Sequence, residues 1–395
     1  MSNNYNFIVV GGGVVGLATA YKLQLKFPNK TIAILEKEEA VAVHQTGRNS
    51  GVIHSGIYYK PNSYKAKNCF NGRDQLVNFA TKFNVPFEEC GKLIVATKEN
   101  ELPMLQTIYK RGLQNKTPNI KFLSKEEIKL KEPYIEAIKA IYVPTAGIID
   151  YVALCETFVK QIQKINKKSN LFTSCKVFKV KNLEVTTSFG KFYGDKIIFC
   201  TGLQSDRNAE KDNINLDVKI VGFRGDYYQL TPNAEHKINN LVYPVPDPKF
   251  PFLGVHFTRM INGGIECGPN AVFTFKREGY NKLSFSFKDT FEALLFKGTW
   301  KLFFKHWRKG IDEYKRAFSK QLFVKELQKM MPSLKASEVT PARSGVRAQA
   351  IDFDGNMVDD FKIVEKENSI HVINAPSPAA TACLAIADEI TGYIK

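Results

Sequence analysis

Residues 7–16 read FIVVGGGVVG, an apolar run that passes directly into a cluster of glycines. The apolar run predicts a buried strand, and the pattern that follows predicts a helix over 14–25 and a second strand over 31–35. Glu36 comes directly after that second strand, twenty residues beyond Gly16. This order and spacing are typical of a βαβ unit that binds a dinucleotide.

Each residue of this motif has a separate physical task. Gly11 permits the tight turn, and Gly13 lets a pyrophosphate approach the backbone N–H groups at the positive end of the helix. Gly16 allows the helix and the strand to pack closely. Glu36 accepts hydrogen bonds from a ribose 2′-hydroxyl, which favours an adenosine without a 2′-phosphate.

The composition is that of a globular protein with room for two domains. The chain has 395 residues, of which 44% are hydrophobic and 24% charged. Its seven cysteines are scattered and never spaced as Cys-x-x-Cys, so we expect reduced thiols and neither a disulfide framework nor a metal site. Since the nucleotide motif starts near Met1 and no apolar run has the length of a membrane span, we expect a cytoplasmic protein.

The formal net charge of +17 is concentrated in part at residues 297–320, which carry eight Lys and Arg. An apolar stripe at helical spacing runs through the same segment, formed by Trp300, Phe303, Phe304, Trp307 and Ile311. One interpretation is a helix packed on the domain core. Another is a basic amphipathic helix on an anionic membrane surface, at the inner face of the cell membrane. Because the usual recognition motifs are missing, we expect no nucleic-acid partner.

Segments typical of a nucleotide domain return later in the chain. Residues 196–202 (KIIFCTG) predict a buried strand, and residues 375–381 (APSPAAT) open a C-terminal helix after another strand. Between them, strand-like segments at 218–230, 252–259 and 265–268 predict a mixed sheet. The predicted fold class is therefore α/β, with a discontinuous Rossmann-like domain and an interleaved α+β domain built on a mixed β-sheet.

Several longer motifs follow one another along the chain. They are HQTGRNSGVIHSGIYY (44–59), PVPDP (244–248), FLGVHFTR (252–259), GPNA (268–271), FKREGY (275–280), GVRAQA (345–350) and NAPSPAAT (374–381). In this order they resemble the motifs of one family, the L-2-hydroxyglutarate dehydrogenases (also called oxidases), which are flavoproteins of the D-amino-acid-oxidase type. The resemblance covers nearly the whole chain, although residues 282–320 carry few diagnostic residues.

This resemblance implies an FAD-binding domain formed by residues 1–84, 145–215 and 340–395. A substrate domain would be formed by residues 85–144 and 216–339, with the basic amphipathic helical segment at 291–320. The implied cofactor is FAD, bound noncovalently. The residues implied to hold it are Gly11, Gly13, Val15, Gly16, Glu36, Lys37, Thr46, Asn49, Ser50, Gly51, Val177, Thr201, Gly202, Pro376 and Ser377.

The implied reaction is hydride transfer from C2 of L-2-hydroxyglutarate to flavin N5, giving 2-oxoglutarate, with electrons passed to a quinone of the respiratory chain or to oxygen. His54 is the first candidate for the base that removes the hydroxyl proton, and His256 is the competing candidate. Arg347 matches the carboxylate-binding arginine of a Gly-x-Arg-Pro motif, with Ala348 in place of the proline. Arg259 and Arg224 are candidates for the distal carboxylate.

Two alternatives stay open at this point. The first is an FAD oxidoreductase of the same class that acts on another hydroxy acid, on glycerol 3-phosphate or on an amino acid. The second is a basic membrane- or nucleic-acid-binding protein that uses a nucleotide fold as a scaffold. The oligomeric state cannot be predicted from the sequence.

Overall fold

The computed structural model describes residues 3–247 and 253–394, so Pro248 and Phe252 of the predicted motifs lie outside the described residues. The α-helices are α1 (Val14–Lys26), α2 (Tyr64–Phe83), α3 (Leu102–Gln114), α4 (Lys125–Lys131), α5 (Tyr151–Ile165), α6 (Ser205–Lys211), α7 (Phe287–Leu295), α8 (Lys297–Phe318), α9 (Lys320–Leu327) and α10 (Cys383–Gly392).

The strands of the first half are β1 (Asn4–Val10), β2 (Ile32–Leu35), β3 (Val52–Ile53), β4 (Phe87–Glu88), β5 (Lys92–Ala96), β6 (Lys121–Leu123), β7 (Lys139–Val143), β8 (Gly147–Ile149), β9 (Asn170–Phe172), β10 (Val177–Lys181), β11 (Glu184–Thr187) and β12 (Gly190–Phe199). Those of the second half are β13 (Val218–Leu230), β14 (Leu241–Pro244), β15 (His256–Arg259), β16 (Ile265–Gly268), β17 (Val272–Phe273), β18 (Val339–Asp352), β19 (Lys362–Lys366) and β20 (Ser369–Asn374).

A first sheet has a parallel centre in the order β20-β12-β1-β2-β9. The β10–β11 hairpin and β19 extend it with antiparallel pairs. All four residues of β2 are buried, as expected of a parallel strand that is covered on both faces. Helices α1, α2, α5 and α10 share one core with this sheet, whereas the hairpin contributes to a second core. The predicted Rossmann-like unit is confirmed.

A second sheet has the order β17-β13-β16-β15-β14-β5-β7-β6, and β18 pairs with β13. It is mixed, because β5 and β14 are parallel while its other pairs are antiparallel. The chain alternates between the two sheets, which confirms the interleaved fold class. The domain boundaries stay a prediction. At one of them, the strand pairing differs from the predicted division of the chain. Residues 340–352 were predicted to begin the last FAD-binding segment, but they lie in β18, which pairs with β13 along nearly its whole length, since a long partner strand is available there.

The apolar stripe of α8 lies mostly on the surface. Trp300 is 46% exposed, Phe304 73%, Trp307 55% and Ile311 46%, so the interpretation of a stripe packed on the core is wrong for these four residues. Phe303 does pack inward. The physical reason is that α8 packs inward through other residues: Gly298, Thr299 and Leu302 before a break at His306 (φ −124°, ψ 18°), and Glu313 and Ala317 after it. In the described part of the chain, no helix is both long and apolar enough to cross a membrane.

Candidate active site

The glycine turn between β1 and α1 is built for close backbone approach. Gly11 has a φ of +114°, and a Cβ atom there would lie 2.3 Å from the carbonyl oxygen of Cys200. A Cβ atom on Gly16 would lie 2.1 Å from the carbonyl oxygen of Gly11. Both positions therefore exclude a side chain, because real Cβ atoms do not come that near to backbone atoms. The tight turn and the close packing of α1 predicted for these glycines have this structural basis.

Glu36 is held at the end of β2 by the same turn. Its Oε2 atom accepts a 2.6 Å hydrogen bond from the Gly12 N–H, and its Oε1 atom accepts one of 2.9 Å from the Glu38 N–H. The neighbouring Lys37 makes ion pairs with Glu38 and with Glu278, at 2.5 and 2.9 Å. The carboxylate is thus fixed at the edge of the sheet where a ribose is expected.

A cavity of about 1260 Å³ begins at this turn. Most of the residues predicted to bind the cofactor line it: Gly11, Gly13, Val15, Glu36, Lys37, Thr46, Asn49, Ser50, Val177, Thr201, Gly202, Pro376 and Ser377. Gly16 and Gly51 are not among the described residues that line it. These residues are brought together from segments more than 300 positions apart, as the interleaved topology requires.

The lining fits FAD on its own chemistry. Gly13, at the N-terminus of α1, presents no side chain to the cavity, and Thr46 accepts a 3.0 Å hydrogen bond from the Val14 N–H beside it. The buried hydroxyl of Thr201 has no partner within the described structure, so it is free to bond a ligand. A backbone cradle for the pyrophosphate, an acidic residue for the ribose and an unpaired hydroxyl in the lining are compatible with an FAD molecule.

The other end of the cavity gathers His54, His256 and Arg347. His54 follows β3, and its Nε2 atom lies 3.4 Å from the hydroxyl of Ser377, which precedes α10. His256 begins β15, and its Nδ1–H donates a 2.8 Å hydrogen bond to the Gly254 carbonyl. Arg347 lies on β18, opposite Phe223 of β13. The structure therefore places the two candidate bases and the candidate carboxylate ligand around one space.

Both histidines are held neutral. Burial lowers the pKa of His54 to about 3, with a further contribution from the positive charges of Lys92 and Lys65. The pKa of His256 is also lowered to about 3, chiefly by burial. The hydrogen bond to Gly254 raises this pKa in part, whereas the positive charges of Lys92 and Arg347 lower it. A neutral imidazole with an unprotonated ring nitrogen is the form that can accept a proton from an alcohol.

The two other predicted arginines are not at this cavity. Arg224 is buried and pairs with Asp226 at 2.8 Å, and its Nη1 donates to the Asn281 carbonyl. Arg259 is directed to the surface, where it pairs with Glu88 at 2.9 Å. Neither is among the described residues that line the cavity. The structure thus does not bring them to the place where a distal carboxylate would lie, because each meets an acidic partner of its own.

Lys92 and Tyr58 line the same end of the cavity but were not among the predicted site residues. Lys92 stands at the start of the strand KLIVA (residues 92–96), all of whose residues are buried. A lysine in an otherwise apolar strand could have indicated a site residue from the sequence, because burying an ammonium group is costly unless a partner or a ligand compensates its charge. Tyr58 lies in the 44–59 motif without any such signal.

A Rossmann-like domain joined by one cavity to a group of cations and neutral histidines is the arrangement expected of an oxidoreductase with a dinucleotide cofactor. The family model "FAD dependent oxidoreductase" matches residues 6–392, and the chain belongs to this family. L-2-hydroxyglutarate dehydrogenase from Indibacter alkaliphilus is 47% identical over 97% of both chains. The mitochondrial L-2-hydroxyglutarate dehydrogenase of Homo sapiens is 42% identical over 100% of this chain and 89% of its own length. The resemblance found in the motifs is thereby confirmed.

Solved structures agree with the fold. L-α-glycerophosphate oxidase from Mycoplasma pneumoniae, solved with FAD bound, superimposes with a TM-score of 0.79 at 25% identity, covering 98% of this chain and 93% of that one. Glycine oxidase from Geobacillus kaustophilus gives a TM-score of 0.74 at 15% identity, over 99% and 94% of the two chains. The predicted cofactor, FAD, is the cofactor of the family.

Proposed function

We propose that this protein catalyses the FAD-dependent oxidation of L-2-hydroxyglutarate to 2-oxoglutarate. The observation that carries the proposal is the single cavity that connects the glycine turn to Arg347 and two neutral histidines. The identity of 47% to a dehydrogenase named for this substrate supports it. When bound, FAD supplies the two-electron acceptor that takes the hydride from the substrate C2 atom.

The residues of the chain have distinct tasks in this proposal. Arg347 binds the C1 carboxylate, because a guanidinium forms two parallel hydrogen bonds with a carboxylate. His54 accepts the hydroxyl proton; the 3.4 Å distance from its Nε2 atom to the hydroxyl of Ser377, a proposed cofactor-binding residue, supports this role. His256 is the alternative base. Its Nδ1 proton is engaged by Gly254, which leaves Nε2 as the acceptor.

Anaerobic reduction of the flavin tests the substrate. L-2-hydroxyglutarate should bleach the flavin absorbance in a single rapid phase, whereas D-2-hydroxyglutarate, glycerol 3-phosphate and glycine should leave it oxidised over the same time. The measurement with glycerol 3-phosphate is the most informative of these controls, because a structural relative is named for that substrate. Bleaching by glycerol 3-phosphate or glycine with none by L-2-hydroxyglutarate would contradict the proposal.

We further propose that α7 and α8 attach the protein to an anionic membrane surface, where a quinone accepts the electrons. Phe287, Phe291 and Leu295 of α7 are 73%, 59% and 81% exposed, and the exposed residues of the α8 stripe follow them. Exposed apolar groups of this number mark an interaction surface. Exposed cations accompany them, namely Lys297, Lys301, Lys305, Arg308 and Lys315. Aromatic and basic residues on adjoining helices are typical of an interfacial anchor.

Co-sedimentation with vesicles tests this attachment. Binding to phosphatidylglycerol vesicles should weaken with rising salt, since exposed charges are screened over about 10 Å at ~0.1 M. The double variant Phe304→Ser/Trp307→Ser should lose binding and keep its turnover with a soluble dye. Phe189→Ser is the matched control, because Phe189 is 53% exposed but lies in the β11–β12 turn. Unchanged vesicle binding of the double variant would contradict membrane attachment.

A further inference from the structure

Lys92 is a buried cation whose charge is not balanced by an acid. Lys92 is 2% exposed, and its Nζ atom lies 3.6 Å from the ring centroid of Tyr243 and 4.7 Å from that of Tyr58. No carboxylate of the described residues forms an ion pair with it. The two aromatic faces attract the ammonium, but they do not replace the hydrogen bonds that it loses on leaving water.

The acidic groups of the cavity lining are already engaged, so none of them is left to balance Lys92. Each acidic side chain that lines the cavity has a partner elsewhere: Glu278 pairs with Lys37, Glu292 with Arg207, Glu210 with Lys219 and Asp359 with Lys65, while Glu36 accepts backbone hydrogen bonds. The contrast with Lys65 is direct. Both are buried lysines of the same cavity, but only Lys65 has a carboxylate, at 2.7 Å.

Tyr58 supplies a second, independent observation. Its hydroxyl is buried and has no hydrogen-bond partner within the described structure. Burial raises the pKa of Tyr58, so the hydroxyl keeps its proton and can donate it in a hydrogen bond. An unpaired ammonium and an unpaired hydroxyl on one wall of a cavity are the groups that a carboxylate ligand would satisfy.

We propose that Lys92, together with the Tyr58 hydroxyl, binds the second carboxylate of the substrate, the one remote from the reacting carbon, and so selects dicarboxylic over monocarboxylic 2-hydroxy acids. This inference rests on the proposed function, in which Arg347 binds the C1 carboxylate. The assignment differs from the one predicted from the sequence, which offered Arg259 and Arg224 for this task.

The same contact would make binding depend on pH in a defined direction. Burial lowers the pKa of Lys92 to about 7. A carboxylate against the ammonium favours the protonated form and raises that pKa in the complex. As the pH rises through about 7, the free protein loses the Lys92 proton while the complex keeps it. Dicarboxylate binding should therefore take up a proton above pH 7, and its dissociation constant should rise about tenfold per pH unit there.

The contact would also affect the base. The positive charge of Lys92 is one of the causes that lower the pKa of both His54 and His256. A bound carboxylate compensates that charge, so the histidines become better proton acceptors when a dicarboxylate is in place. A monocarboxylate leaves Lys92 uncompensated and should gain less from either base.

The test compares matched ligands in the FAD-loaded enzyme. Reduction kinetics are measured with L-2-hydroxyglutarate and with L-2-hydroxypentanoate, which has the same chain length without the distal carboxylate. Lys92→Met should lower the ratio of kcat/KM for L-2-hydroxyglutarate to kcat/KM for L-2-hydroxypentanoate, on the order of 10²-fold. Most of this change should come from a lower kcat/KM for the dicarboxylate. Tyr58→Phe should lower the ratio by a smaller factor, about tenfold. Lys65→Met is the matched control and should leave the ratio unchanged.

Ligand binding without turnover separates this inference from the proposed function. In the unmodified enzyme, flavin absorbance changes report the binding of glutarate and of pentanoate between pH 6 and 9. Glutarate affinity should fall with pH above 7, whereas pentanoate affinity should not follow the same slope. A pH-independent preference for glutarate, or an unchanged substrate ratio in Lys92→Met, would overturn the assignment. An equal loss in Lys65→Met would show that the ratio reports cavity charge in general and would overturn it too.

Discussion

The two ends of the cavity are built in different ways. At the glycine turn, much of the cavity wall comes from one stretch of the sequence, residues 11–46, which contributes the backbone of Gly11 and Gly13 and the side chains of Glu36 and Thr46. At the other end, side chains from β5, β15 and β18 meet residues that follow β3 and precede α10. The motif that forms the first end therefore predicts dinucleotide binding without reference to the rest of the fold. The second exists only after both sheets have assembled.

This difference predicts how each end responds to substitution. A change at the glycine turn should remove the cofactor altogether, since backbone cannot rearrange around an added side chain. A change at the substrate end should alter one step of the reaction and leave the cofactor in place. The effects are expected to decrease in the order that follows.

The largest effect is expected for Gly13→Val. A Cβ atom added at Gly13 would lie 3.3 Å from the Thr46 hydroxyl oxygen. The methyl groups of a valine would extend further, into the space expected for the pyrophosphate. The variant should purify without flavin colour, which the ratio of absorbance at 450 nm to that at 280 nm measures. Gly310→Val, where an added Cβ meets nothing within 4 Å, should keep its full FAD content. Stoichiometric FAD in Gly13→Val would refute this assignment of the turn.

His54→Ala should slow flavin reduction by L-2-hydroxyglutarate by about 10²–10⁴-fold, because the hydroxyl proton then lacks its acceptor. The dissociation constant of the substrate should change much less, since the lost group acts mainly in the transition state. Stopped-flow reduction across pH separates the two quantities. His256→Ala is the paired measurement. If it is the slow variant while His54→Ala reduces its flavin at the parental rate, the base is His256.

Arg347→Ala should act on binding. Removing a charge-assisted pair to a desolvated carboxylate costs about 2–5 kcal/mol, so the substrate dissociation constant should rise by a factor of about 30 to several thousand. The limiting rate of flavin reduction at saturating substrate should fall less. Arg347→Lys, which keeps the charge but loses the two-pronged geometry, should recover part of the affinity. Parental affinity in Arg347→Ala would place the C1 carboxylate elsewhere.

The smallest effect is expected for Arg259→Ala. Its ion pair with Glu88 lies at the surface, where such pairs contribute about 0–1 kcal/mol. Values of kcat/KM for L-2-hydroxyglutarate should stay within about fivefold of the parent. A loss on the order of 10²-fold, confined to dicarboxylic substrates, would restore Arg259 as a ligand of the distal carboxylate and would argue against Lys92.

Local patterns predicted most of the fold because they act over one element at a time. The strand predicted over 218–230 is β13 itself, and the helix predicted over 14–25 ends one residue later as α1. Contacts between residues far apart in the sequence decided what the local pattern did not predict. The strand β18 joins the second sheet because β13 offers it a partner. The α8 stripe is exposed because α8 packs inward through residues such as Gly298 and Leu302 instead.

The sequence by itself determined the dinucleotide turn and the family, and it proposed His54, His256 and Arg347 as candidate site residues, because these signals lie within short motifs. Only the tertiary structure decided which cations meet in the cavity. Arg224 and Arg259 find acidic partners and lie outside its lining, whereas Lys92 is enclosed between two tyrosine rings without one. The physical reason is that the strength of a buried charge depends on its neighbours, and those neighbours come from strands far apart in the chain.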